Sequence, residues 1–195
     1  MTLASRRCKM TGMRAANPRV SFAELERWPE DGRRYELYDG EVYEVPSAIL
    51  LHQIVSGRLH VRLDAYAGER GGLVLFAPLD IVLTEYDVVQ PDLLLFTDER
   101  KRLLNLRKPN RVAPDLAIEI LSPATASNDR GRKMQLLARH RVGEYWLVDP
   151  EAATIEVYAL SGQQFVLASM ASGRERVRSP LLPELVLAPA DLVPA

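Results

Sequence analysis

The segment DLAIEIL, residues 115–121, is apolar everywhere except at Asp115 and Glu119. Successive side chains of a strand point to opposite faces, so a strand this apolar must be covered on both sides. That requirement places it inside a layered α/β sheet and excludes an open sheet with one wetted face. It also singles out Glu119, because a carboxylate between Ile118 and Ile120 gives up its hydration unless a cation or hydrogen-bond donors replace it.

The flanking sequence supplies the rest of such a sheet. LVLFAPLDIVL (73–83) and VVQPDLLLF (88–96) are apolar, rich in strand formers and separated by the polar TEYD, which predicts an antiparallel pair turning about Tyr86. EYWLVD (144–149), TIEVYAL (154–160) and QFVLAS (164–169) predict a meander. Nearer the start, YELYDGEVYEV reads as a hairpin about Asp39-Gly40, and SFAELERW as a short helix capped by Ser21 with Glu24 three residues on. Apolar residues at Leu51, Ile54, Val55, Leu59, Leu63 and Tyr66 have the spacing of a helix of about four turns buried on one face. SPATASNDRGRKMQLLARHRVG predicts a loop, a cap at Ser127 or Asn128 and a helix to about His140. The expected fold class is α/β, a mixed central sheet flanked by helices, with an N-terminal β-hairpin and a C-terminal β-meander. Residues 21–195 are expected to form a single domain behind a basic, poorly ordered lead of residues 1–20.

One cysteine, Cys8, excludes a disulfide framework and a cysteine-based zinc site, a usage that suits the cytoplasm. No apolar run reaches the roughly 20 residues that span a bilayer, so no membrane is expected as a partner. A net charge of −1 argues against a polybasic coat for nucleic acid, but the charge is uneven. Residues 1–20 carry +5, 21–99 carry −10, 100–141 carry +8 and 142–195 carry −4. The positive block includes Arg130, Arg132 and Lys133 and brackets Glu119 in sequence, where it would draw a phosphate backbone.

Two further acids repeat the anomaly of Glu119: Asp92 heads the run LLLF, and Asp80 interrupts LFAPLDIVL. With a turn about Tyr86, positions 80 and 92 face one another across the pair. Like charges so placed repel, whereas a divalent cation between them attracts both, and oxygen clusters suit Mg²⁺ or Mn²⁺ better than zinc. Local partners would explain any one acid alone, a turn for Asp92 after Pro91 or a buried arginine for Glu119. Acids on neighbouring strands ahead of a basic helix favour the metal. A glycosidase also pairs two acids, but these are surrounded by basic rather than sugar-stacking residues: Phe, Trp and Tyr make up 7% of the chain.

Pro91-Asp92, followed on the next strand by Glu119-Ile120-Leu121, resembles the PD-(D/E)XK nuclease signature. The ordered segments YELYDGEVYEV, HQ, FAPLDIVL, VVQPDLLLF, PDLAIEILSP, DRGRKMQL and EYWLVDP resemble, over about residues 21–190, the Uma-type restriction endonuclease family. The resemblance implies a restriction endonuclease-like fold and a Mg²⁺- or Mn²⁺-dependent hydrolase acting on DNA, with Asp92, Glu119 and the carbonyl of Ile120 on the metal. The third letter of (D/E)XK is Leu121 here, not lysine, and Lys133 matches the migrated position that similar families use on the next helix. Lys133 would then position or activate the attacking water and neutralise phosphate charge. Read without the resemblance, Asp129 four residues earlier makes Lys133 half of an exposed i,i+4 ion pair.

His52 matches a histidine in the family's first long helix, with a role at the metal-site water or a phosphate, or else as a hydrogen-bonded core residue. Asp80 is an accessory candidate, and Arg130 and Arg132 are candidates for nucleic-acid contacts. Glu36 and Glu41 reach the metal only if the hairpin folds over the site, Asp39 is accounted for by its turn, and His60 and His140 are surface or boundary residues. The alternative to an enzyme is an inactive nuclease-like module that binds nucleic acid or a protein. TIEVYAL and QFVLAS offer an edge through which a homodimer could form.

Overall fold

The structure, a computed structural model, describes residues 18–194. Most of the basic lead, with Cys8, lies outside the described residues. Arg19 and Val20, at its end, are docked on the hairpin: Val20 N–H donates to Gly40 O at 2.9 Å, and Arg19 pairs with Asp39. Ser21 caps α1 (Phe22–Leu25) in a full capping box with Glu24.

The hairpin is β1 (Arg34–Tyr38) and β2 (Glu41–Val45), and its two turn residues, Asp39 and Gly40, both have positive φ, the conformation of a type I′ turn. A Cβ on Gly40 would meet Arg19 at 2.7 Å, so the turn and the docked lead both require glycine there. The long helix α2 (Leu50–Gly68) leads into β3 (Leu73–Phe76), β4 (Ile81–Val82), β5 (Val88–Val89) and β6 (Leu93–Phe96), and then a short α3 (Asp98–Lys101). The central strand β7 (Leu116–Ile120) is followed by α4 (Ala126–Asn128), a π-helical turn (Asp129–Lys133) and α5 (Met134–Arg139). The meander β8 (Glu144–Asp149), β9 (Thr154–Ser161) and β10 (Gln164–Ser172) follows, and a 3₁₀ turn at Pro189–Asp191 lies close to the end.

The main sheet has six strands in the order β10-β9-β8-β7-β6-β3, antiparallel except for β7 and β8. That parallel pair is bridged by α4 to α5, as parallel neighbours require a crossover. β7 is buried at every residue. Leu116, Ile118 and Ile120 pack with Val55, Leu59 and Leu63 of α2, whereas Ala117 packs with Leu136 and Leu137 of α5. Helices therefore cover both faces, and Glu119, on the face of Ala117, is turned toward the helix that follows the π turn.

The expected pairing of residues 73–83 with 88–96 holds only in outline. β3 pairs with β6 in the main sheet, while β4 pairs with β5 in a separate four-stranded sheet of order β2-β1-β5-β4. The β4–β5 register, continued by one residue, sets Asp80 against Gln90, whose Nε2 donates to its Oδ1 at 2.6 Å, and the β3–β6 register sets Asp92 against Ala77, so Asp80 does not face Asp92. The acid opposite Asp92 is Glu119, one residue beyond the Leu93–Ile118 pair on each strand. The helix expected to be capped by Ser127 or Asn128 begins earlier, at Ala126 with Thr125 at its cap, and is interrupted by the π turn.

Candidate active site

The cleft lies where the hairpin, the start of α2, the ends of β6 and β7 and the π turn meet. It holds about 240 Å³ of space open to water, and its lining includes Glu36, His52, Asp92, Glu119, Asp129 and Lys133.

Asp92 stands immediately before β6. Its Oδ2 accepts the N–H of Ile120 at 2.8 Å and lies 2.9 Å from His52 Nε2. An ionised carboxylate only accepts, so His52 carries its proton on Nε2, and its Nδ1 is buried with no partner among the described residues. One oxygen of Asp92 is thus committed to holding the carboxylate across the end of β7, and Oδ1 is left for other work.

Glu119 is 4% exposed and Lys133 3% exposed. Lys133 Nζ lies 2.9 Å from Glu119 Oε1, 2.9 Å from Glu36 Oε1 and 3.7 Å from Asp129 Oδ1. The exposed-pair reading of Asp129 and Lys133 is therefore corrected: the wider π turn faces both residues inward, and the ammonium is enclosed by three acids. Glu36, fully buried on β1, is fixed by Gln90 N–H at 2.7 Å and Tyr38 O–H at 2.6 Å, and Asn128 Nδ2 donates to the same tyrosine oxygen at 2.8 Å. The hairpin does fold over the site. Glu41 remains outside, paired with Arg132 at 2.8 Å.

Burial pushes the Glu119 carboxyl well above the usual carboxylate range against the pull of Lys133, and burial likewise raises Asp129. Burial also works against the charge on Lys133, but Glu119, Glu36, Tyr38 and Asp129 together outweigh it and hold the ammonium protonated. Four carboxylates share the cleft with this one buried ammonium. Glu119 Oε1, although close to Nζ, and Asp129 Oδ2 are buried and accept no aligned hydrogen bond among the described residues.

The cationic candidates are placed elsewhere. Arg130 is held by both oxygens of Glu156 at 2.8 and 2.6 Å, Arg132 lies over Tyr38 and pairs with Glu41, and neither lines the cleft. In the 100–111 arm of the basic block Arg100 is held by Asp115 and Arg111 by Glu85, and no residue of the arm lines the cleft, so the block does not bracket the site in space. Asp80 lines a neighbouring cleft with Trp28 and Tyr35, and burial raises its carboxyl. The sequence reading assigned no inward role to Asp129, Gln90, Tyr38 or Asn128. For Glu36 the usable signal is weaker than for Glu119: an acid between Tyr35 and Leu37 in a strand led by Arg34.

No group of three or more His, Cys, Asp or Glu side chains among the described residues converges as a ready cage for a metal. No helix among the described residues is long and apolar enough to cross a membrane. Residues 22–190 match the family model described as "Uma2: Putative restriction endonuclease". The uncharacterized protein slr1290 of Synechocystis sp. is 30% identical over 171 residues, covering 83% of this chain and 86% of that protein. A crystal structure described as "a putative nuclease belonging to DUF820" from Anabaena variabilis superposes with a TM-score of 0.73 at 21% identity, covering 89% of this chain and 97% of that one, a likeness of fold. The family match runs from the first residue of α1 into the closing 3₁₀ turn and takes in every strand and every lining residue of the cleft, so the chain belongs to the Uma2 family.

Proposed function

We propose that the cleft is the active site of a metal-dependent endonuclease that hydrolyses phosphodiester bonds of DNA. The observation that carries this reading is the meeting of Asp92, Glu119 and Lys133, from three separate elements, in one cleft with more acid than base. Two carboxylates opposed across β6 and β7 repel one another, and the uncommitted oxygens suit a hard cation. Mg²⁺ keeps several waters and is commonly held by one or two carboxylates together with substrate phosphate, so the lack of a three-acid cage fits this class of ion. Asp92 Oδ1 and Glu119 would hold it. The carbonyl of Ile120 is a third donor, because N–H and C=O of one strand residue address the same neighbour and this N–H addresses Asp92. When bound, Mg²⁺ or Mn²⁺ neutralises phosphate charge and acidifies water.

The chain's own residues do the rest. His52 and the Ile120 N–H keep Asp92 in one orientation. Lys133, steered by Glu36, donates toward charge that develops on the phosphate. Water adds in line at phosphorus as the bond to the leaving sugar oxygen breaks, and its proton passes through solvent to that oxygen, giving one phosphomonoester and one hydroxyl.

Purified protein with Mn²⁺ is expected to nick supercoiled plasmid, and Asp92→Ala to abolish nicking. Equal survival of plasmid with wild type and variant would remove catalysis on DNA. The burial of Lys133 among acids also favours a second reading, in which the ion pairs are structural and the domain only binds. Calorimetry separates the two, since that reading predicts no Mn²⁺ binding.

A further inference from the structure

The lips of the cleft are apolar although its floor is charged. On one side run Pro46, Ser47, Ala48 and Ile49, all exposed, and on the other Pro123 and Ala124. Ile49 is 62% exposed and its neighbour Leu50 77%. Ile49 also occupies the N-cap of α2 without a side-chain cap hydrogen bond. Ser, Thr, Asp and Asn are favoured there and isoleucine is among the poorest choices, so this residue lowers helix stability as well as exposing apolar surface. A position that breaks two local rules at the mouth of a cleft points to something that covers it.

The charge around the mouth narrows what that is. An intact duplex presents two phosphate backbones and needs a track of lysine and arginine to offset them. Among the described residues lining the cleft the cations are Arg34 and Lys133. Arg34 donates to Pro46 O at 3.2 Å, and Lys133 is enclosed by Glu36, Glu119 and Asp129. Arg130 and Arg132 are spent on Glu156 and Glu41. The basic loop before β7 runs along the edge strand β4, with Asn110 O accepting the N–H of Val82 and Arg111 paired with Glu85, and none of its residues lines the cleft. A base, by contrast, has an apolar face whatever its identity, and in an unpaired strand that face is open to apolar side chains, whereas in a duplex it is stacked away inside the helix.

We propose that the cleft takes nucleotides of an unpaired strand, with bases lodged against the lips formed by Pro46 to Ile49 and by Pro123 and Ala124, in preference to an intact duplex. The proposal rests on the nuclease reading of the same cleft and names its substrate class. An unpaired strand brings one phosphate at a time to the acids and can enter a narrow opening.

The test uses end-labelled oligonucleotides of one sequence as a single strand, a fork and a full duplex, incubated with the full chain and Mn²⁺. The single strand and the unpaired arms of the fork are expected to be cut about tenfold faster than the duplex, the order of burying one aliphatic side chain against a base. Ile49→Ser is expected to reduce that ratio severalfold. Serine is the better cap, so the variant does not lose α2. A duplex cut as fast as the single strand, or a ratio unchanged in Ile49→Ser, overturns the proposal and leaves the nuclease reading standing. If nothing is cut, the nuclease reading falls and fluorescence anisotropy in EDTA decides. Tighter binding of the single strand that weakens in Ile49→Ser supports the proposal, and equal or tighter binding of the duplex overturns it.

Discussion

The two ends of β7 carry charge in opposite ways. At its C-terminal end, Glu119 and Lys133 are nearly closed from solvent and each is held by groups from other elements. Before its N-terminal end, the loop after α3 exposes Arg107 and Lys108, beside Leu106 at 93% exposure. Sequence alone ranks the second region as the more basic and the more inviting to phosphate. The structure gives weight to the first, because charges buried from solvent interact strongly and in fixed geometry, whereas solvated charges are screened within about 8 Å at physiological salt.

The comparison breaks most readily at Lys133. Lys133→Ala leaves Glu36 and Glu119 buried and uncompensated, so it is expected to cost about 3–5 kcal/mol in urea unfolding, while Arg107→Ala and Lys108→Ala stay within about 0.5 kcal/mol. Similar losses at both ends would show that burial is not what distinguishes them. His52 sharpens the picture next. It does not reach the cation in the proposed arrangement but orients Asp92, so His52→Ala is expected to lower Mn²⁺ affinity about 10–100-fold by calorimetry with little change in the fold. Unchanged affinity would assign His52 to the core alone.

The smallest effect belongs to a pair between these extremes. Arg130 holds the Glu156 carboxyl below its ordinary value of 4.5. A carboxyl lowered in the folded state adds stability above its unfolded value, and that stability is lost as the pH falls through the folded value. Acid unfolding of Arg130→Ala should therefore begin at higher pH than that of wild type. With Arg130 half solvated, the difference is about 0.2–1 kcal/mol, which vanishes once Glu156 is protonated in both proteins.

Much of the architecture was legible in the residues because it depends on local rules. The Ser21 capping box, the Asp39-Gly40 turn and the one-sided helix through Leu59 and Leu63 each encode an element within a few positions. The doubly apolar β7 encodes its place in the middle of the sheet. Asp92 and Glu119 were legible as acids where apolar residues belong, and the Uma2 match agrees with the resemblance that those segments carry. Asp129 was not, because an acid four residues before a lysine on a helix has the same spelling whether it faces water or the core. The π turn that faces it inward shows only as a backbone geometry. Asp80 was misplaced because a register depends on where the chain changes sheets.

By itself, the sequence determined the elements, the two-sided cover of β7 and which charges cannot be ordinary. The tertiary structure alone decided that Glu36 and Lys133 meet, that Asp92 opposes Glu119 and not Asp80, and that most of the basic block lies away from the acids. The physical reason is range: propensity, capping and periodicity act over a few residues, while burial of a charge is set by partners brought from Glu36 to Lys133 by packing across the whole domain.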